Sequence, residues 1–270
     1  MLWYQIIFLS LIQGLTEFLP VSSSAHLILP SQLLNWQDQG LAFDVAVHVG
    51  TLIAVVTYFY KDILSISKAW CLSLFGKRLG DVTAAQGKLG WYIIIGTIPV
   101  GLVGFLCGGL IETHLRSIEV IAYTTIGFGI LLWLADKFFH DNKEIHQLTW
   151  RTSFAIGVSQ VLALIPGTSR SGITMTSARA LGFSRDAAVR FSFLLSIPLI
   201  SIAGGYKLLQ LIMSPTVVDW VAIITGVILS MISAYICIYF FLKWINNIGF
   251  TVFLVYRLLL GFFLLALVYL

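Results

Sequence analysis

Two short polar runs hold the residues that could do chemistry: Pro20-Val-Ser-Ser-Ser-Ala-His26 and Pro166-Gly-Thr-Ser-Arg-Ser-Gly172. Both interrupt apolar sequence, where a polar group is costly to bury unless it has a partner or a task. In the first, Ser22, Ser23, Ser24 and His26 follow Gln13 and Glu17, whose i, i+4 spacing puts them on one helix face. A carboxylate, an imidazole and hydroxyls this close together supply a nucleophile, a proton acceptor and a metal ligand, although any one serine alone could equally be a helix cap. The second run is complementary. Gly167 and Gly172 let backbone approach a ligand, Ser169, Ser171 and Thr174 offer hydroxyls, and Arg170 offers a planar fork of donors. A helix starting after Pro166-Gly167 points free amides at an anion, so the run describes a phosphate site. An arginine at membrane depth also needs a counter-charge, and Glu17 is its natural partner, which would join both runs in one site.

Positioning these groups falls to a chain of 270 residues that is 59% hydrophobic and 10% charged, with mean hydropathy +0.95; soluble domains are about 25% charged. The fold class is therefore all-α integral membrane. Six stretches, about 41–60, 91–111, 118–136, 189–213, 217–242 and 249–270, can each cross a hydrocarbon layer of about 30 Å. Residues 1–36 and 152–184 instead hold shorter apolar pieces, broken by Pro-Val-Ser or Pro-Gly-Thr, and read as re-entrant helix hairpins. The order hairpin, three spans, hairpin, three spans predicts one membrane domain of two inverted-topology repeats, about 1–140 and 150–270, since an odd number of spans turns the second copy over. Asp44-Val-Ala-Val-His48 and Asp186-Ala-Ala-Val-Arg190 trail the two runs at similar distances.

Charge reports topology. The formal +4 lies mostly in loops and argues against a nucleic-acid partner. Lys61, Lys68, Lys77, Arg78 and Lys88, then Lys137, Lys143 and Arg151, mark two loops as cytoplasmic. The first hairpin and both termini then fall outside, the second hairpin enters from inside, and the tips meet near the midplane in a pocket that opens outward. No cleavable signal pattern starts the chain, so its N-terminus is expected to persist. Cys71, Cys107 and Cys237 are too scattered for a disulfide framework or a zinc site. Gly101, Gly104, Gly108, Gly109, Gly127 and Gly129 permit close helix packing, with a homodimer as the second reading. Trp3, Trp36, Trp70, Trp91, Trp150 and Trp220 read as interfacial anchors. Asp44, His48 and Arg190 read as helix-end groups, Arg257 as structural or as a contact to an anionic head group, and His114, His140 and His146 as loop residues.

Gln13-Gly-Leu-Thr-Glu17-Phe-Leu-Pro-Val-Ser-Ser23-Ser-Ala-His26, together with Pro166-Gly-Thr-Ser-Arg170-Ser-Gly-Ile-Thr174, resembles the bacterial undecaprenyl-diphosphate phosphatases associated with bacitracin resistance. The likeness extends over essentially the whole chain. It implies a multi-pass enzyme of the bacterial inner membrane that hydrolyses undecaprenyl diphosphate to undecaprenyl phosphate and inorganic phosphate, recycling the lipid carrier for peptidoglycan. It also implies that Ser23 is the nucleophile, His26 the acid/base, and Ser169, Arg170 and Thr174 the diphosphate clamp. The acidic motif has the form Glu or Gln, three residues, then Glu, leaving Glu17 as its one carboxylate here. A divalent cation, Mg²⁺ or alternatively Ca²⁺, is implied as cofactor, with Glu17 as a candidate ligand. A lipid-phosphate flippase or secondary transporter is the alternative that the inverted-repeat order leaves open. The histidine-nucleophile lipid phosphatases are a poor match, because Thr176 stands where their motif needs a histidine.

Overall fold

Lipid offers no hydrogen-bond partners, so an apolar chain of this kind satisfies its backbone within helices. The computed structural model describes residues 2–34, 36, 39–75, 80–139, 142–213 and 219–269. Among them are eleven α-helices and no β-strand: α1 (Trp3–Phe18), α2 (Ser23–Leu33), α3 (Gly40–Tyr58), α4 (Tyr60–Leu74), α5 (Asp81–His114), α6 (Ile118–Phe138), α7 (Trp150–Gln160), α8 (Arg170–Ala180), α9 (Arg185–Met213), α10 (Trp220–Ile248) and α11 (Thr251–Tyr269). Six of these, α3, α5, α6, α9, α10 and α11, are long and apolar enough to cross a membrane, as the hydropathy pattern predicts. The protein is a multi-pass membrane protein.

The remaining helices differ in kind. At 1.5 Å per residue, the 16 residues of α1 extend roughly 24 Å, and the 11 of α2, α7 and α8 roughly 17 Å, all short of the ~30 Å core. The pairs α1–α2 and α7–α8 are interrupted at the two polar runs. Ser22 and Ser169, the residues before α2 and α8, share the same φ of 73°, a left-handed value uncommon outside glycine. The chain takes the same tight path into both helices.

Several expectations need correction. The stretch between the first two spans is not a simple loop: Lys61 and Lys68 lie on α4, whose Ile66 and Ala69 are buried, and Lys88 lies inside α5, which begins at Asp81. His114 is the last residue of α5 and His146 lies in a 3₁₀ turn over Ile145–Gln147. Lys77, Arg78 and His140 lie outside the described residues. Nor do the glycines pack as expected, because a Cβ at Gly101, Gly108, Gly109 or Gly127 would meet nothing within 4 Å. Gly129 does pack closely: a Cβ there would lie 3.1 Å from Arg257 Cβ.

Two anchors hold the short pairs in the bundle. Helix α1 lies directly on α10: a Cβ at Gly14 would sit 2.6 Å from the Ser230 carbonyl oxygen, and Ser233 donates to the Leu11 carbonyl at 2.9 Å. Helix α8 is held at its far end by Arg179, which donates to Asp136 at 3.0 Å, where Arg185 of α9 also donates, at 2.8 Å through each of two nitrogens. Between the anchors lies an aromatic core in which Phe18, Phe59, Phe193, Phe241 and Phe253 meet largely edge to face.

Candidate active site where the two polar runs meet

The end of α1, the start of α2 and the start of α8 converge on a cavity of about 340 Å³. Its polar wall is Glu17, Ser22, Ser23, Ser24, His48, Ser169, Arg170 and Lys207; its apolar wall includes Val45, Val100, Leu199, Ile200, Ala203 and Gly204. Residues from both polar runs thus share one chamber.

Glu17 is its hub. One carboxylate oxygen, Oε1, accepts from Arg170 Nη2 at 3.0 Å. The other, Oε2, accepts from the Ser23 hydroxyl at 2.7 Å and from Gln13 Nε2 at 3.0 Å. The expected Glu17–Arg170 pair is therefore formed, and each partner is nearly buried. Arg170 also donates through Nη1 to the Ser192 carbonyl of α9 at 3.1 Å and stands 5.9 Å from the centre of the Phe18 ring. A guanidinium carries five N–H groups, so Arg170 keeps donors for an anion after both contacts. The first turns of α2 and α8 border the cavity as well, bringing two positive helix ends together. Ser22 makes no side-chain cap, whereas Ser169 Oγ accepts from Gly172 N at 3.1 Å.

The proton route expected from Ser23 to His26 is not formed. His26 Nδ1 lies 2.7 Å from the Ser22 carbonyl, and a carbonyl can only accept, so Nδ1 carries the proton. Its Nε2 lies 2.5 Å from the Tyr256 hydroxyl, which then donates. Both nitrogens are committed away from Ser23. The hydroxyl of Ser23 donates to Glu17 instead, making the carboxylate the base within reach.

Other expected ligands are spent on architecture. Thr174 bonds the Ser192 hydroxyl at 2.7 Å and is 1% exposed, so it fixes α8 to α9 and does not reach the cavity. Ser171 donates to the Leu19 carbonyl at 2.9 Å, tying the second run to the first; its one proton being used, Ser169 donates to it at 3.1 Å. Gly167, at φ +89°, approaches α6 and not a ligand: a Cβ there would lie 2.1 Å from Thr124 Oγ1. Gly172 is likewise crowded by protein, with a Cβ falling 3.1 Å from that of Ser169 and 3.2 Å from Arg257 Nη1.

Two residues gain importance that spacing did not reveal. His48 lines the cavity with Nε2 3.9 Å from Glu17 Oε2, while its Nδ1 is held at 2.7 Å by the Asp44 carbonyl. Arg257 of α11 is fully buried and binds only carbonyls: Pro20 at 3.1 Å in the first run, Gly167 at 2.8 Å and Thr168 at 3.1 Å in the second, and Thr125 at 2.8 Å and Thr124 at 3.3 Å on α6. It staples the two runs together, which settles its role as structural. Removing the fork strands several buried acceptors at about 1–3 kcal/mol each. Arg257→Gln is expected to lower the thermal unfolding midpoint in detergent by several degrees, with Arg257→Lys recovering only part of it because an ammonium lacks the planar fork.

No three His, Cys, Asp or Glu side chains form a metal cage among the described residues. Glu17 is the one carboxylate lining the cavity, and protein donors occupy both its oxygens. This set fits a hard cation carried largely by phosphate oxygens and water, as Mg²⁺ commonly is, and not one caged by protein alone.

Six spanning helices around a buried carboxylate, with a half-buried serine and guanidinium beside it, define a polytopic membrane protein with a polar chamber inside an apolar body. The chain belongs to the family described as bacitracin resistance protein BacA, whose model matches residues 6–263. It is similar to proteins named undecaprenyl-diphosphatase. That of Teredinibacter turnerae is 57% identical over 256 residues, covering 95% of this chain and 96% of its own. That of Saccharophagus degradans is 56% identical over 263 residues, covering 97% of each. The Hahella chejuensis protein is 54% identical over 269 residues, covering 100% of this chain and 99% of its own.

Proposed function

We propose that this protein hydrolyses undecaprenyl diphosphate to undecaprenyl phosphate and inorganic phosphate, returning the lipid carrier to cell-envelope synthesis. The observation that carries the reading is the Ser23–Glu17–Arg170 chain, a hydroxyl, a base and a cation from two separate runs in one chamber. The names of full-length relatives supply the substrate. The chamber suits that substrate, because its polar wall takes a diphosphate and its apolar wall takes the start of a prenyl tail.

Ser23 Oγ attacks the terminal phosphorus in line and passes its proton to Glu17 Oε2. The bond from that phosphorus to the bridging oxygen breaks, the electron pair leaves with undecaprenyl phosphate, and water hydrolyses the phosphoserine to inorganic phosphate. Phosphoryl transfer rests on positioning and charge neutralisation. Here Arg170 and the amides of α2 and α8 offset charge, Gln13 fixes the carboxylate, and Ser22, Ser24 and Ser169 border the head group. His26, bonded to Tyr256, orients the start of α2. A divalent cation, Mg²⁺ or Ca²⁺, would be held by Glu17 and substrate oxygens and would neutralise phosphoryl charge.

For the wider arrangement we read α1–α2 and α7–α8 as re-entrant hairpins of two inverted repeats, 1–140 and 150–270. Their short helices and the matching backbone at Ser22 and Ser169 support this. The lysine-bearing segments then face the cytoplasm and the chamber opens to the periplasmic side of the inner membrane.

The test is phosphate release by purified protein in detergent. Supplied with undecaprenyl diphosphate labelled in the terminal phosphate, it should release label and, on acid quench, carry some on the peptide holding Ser23. Transport needs two compartments and hydrolysis does not, so release in detergent also separates the flippase alternative. No release under these conditions would overturn the reading.

A further inference from the structure

We propose that Lys207 is a substrate-capture residue: it draws the diphosphate head into the chamber and sets a preference for diphosphate over monophosphate lipids. This rests on the hydrolase reading above. Lys207 lines the same chamber as Ser23 and Arg170. Leu199, Ile200, Ala203, Gly204 and Lys207 recur at helical spacing and form one face of α9. Arg170 grips α9 at Ser192, fifteen residues earlier, or roughly 22 Å along the axis. Lys207 therefore stands at the opposite end of the chamber from the reacting groups, near the end of a spanning helix, where a head group arrives.

Charge makes the position informative. Arg170 is already paired with Glu17 at 3.0 Å, so together they add no net charge. Lys207 has no hydrogen-bond or ion-pair partner among the described residues and is the chamber's free lysine or arginine charge. Apolar walls at Val45, Val100 and Leu199 concentrate its field, and a Cβ at Gly204 would meet nothing within 4 Å, so α9 leaves the passage clear. Attraction to a point charge grows with ligand charge. A diphosphate is therefore held more strongly than the monophosphate product, which favours capture of one and release of the other.

The test is steady-state kinetics of Lys207→Gln in the full chain, with Lys207→Arg as the charge-preserving control. Lys207→Gln should raise KM for undecaprenyl diphosphate roughly tenfold, as loss of a steering charge does, with kcat within about twofold of wild type. The salt dependence of kcat/KM should flatten, and Lys207→Arg should restore both. Wild-type KM and salt dependence in Lys207→Gln, or a loss confined to kcat, would overturn the proposal. Equilibrium binding of undecaprenyl diphosphate and undecaprenyl phosphate in nanodiscs reads the same residue without turnover. Selective weakening of the diphosphate there supports capture even were hydrolysis absent, and equal weakening of both lipids counts against it.

Discussion

Ser23→Ala should lower kcat by about 10⁶-fold, the scale seen when the nucleophile is removed from a preorganised site. Little else should change. Ser23 is the first residue of α2, a position where alanine is well tolerated, and the one side-chain hydrogen bond it gives up is that to Glu17. Thermal stability and binding of the diphosphate should therefore stay close to wild type, so that the loss falls on the chemical step. Ser24→Ala is the matched control. Ser24 is exposed and bonds only the Ser22 hydroxyl, at 3.2 Å, and its loss should cost under about threefold, in keeping with the small effect of a solvent-exposed hydrogen bond. Turnover of Ser23→Ala within tenfold of wild type would remove the covalent route and leave the serine as an orienting group for water.

Arg170→Lys should reduce kcat/KM by about 10²–10³-fold, the cost of losing a preorganised donor at the developing charge. The lysine keeps the positive charge but cannot reach Glu17 and Ser192 at once while also facing a phosphoryl oxygen. Arg170→Ala should be worse in a separable way. It leaves Glu17 buried and unpaired, which costs about 3–5 kcal/mol when one member of a buried pair is removed. The alanine variant should thus lose stability as well as activity, whereas the lysine variant should lose activity alone. Comparing thermal unfolding with kcat/KM across the two variants checks this. Equal activity of wild type and Arg170→Lys would mean that the planar fork has no part in the reaction.

Some of this arrangement is legible in the chain because solvation enforces it. An arginine in apolar sequence needs an anion, and Glu17 lies in the other interrupted apolar stretch, so their meeting follows before any coordinates. The six spans follow from length and hydropathy in the same way. What spacing does not encode is which groups are already committed. His26 stands three positions after Ser23, close enough along the chain to serve it, yet Tyr256 occupies its second nitrogen from 230 positions away. Gly167 signals a close approach, but only the fold shows that the approaching body is α6. Arg257 is similar: a lone arginine in the last span gives no hint that its acceptors are the carbonyls of both polar runs. His48 could have been suspected from the parallel between Asp44–His48 and Asp186–Arg190, which places a basic group at a similar distance after each polar run. Helix α4 is masked by its mixed composition, since its polar face reads as loop while Ile66 and Ala69 pack inward.

The central claim is that one diphosphate is held by both runs at once. A structure determined with a non-hydrolysable methylene-diphosphonate analogue of the lipid measures this directly. The terminal phosphonate should lie in line with Ser23 Oγ, within hydrogen-bond reach of the Arg170 guanidinium, with the prenyl chain leaving along Leu199 and Ala203. A head group bound against one run alone, or in a chamber that does not contain Ser23, would contradict the account.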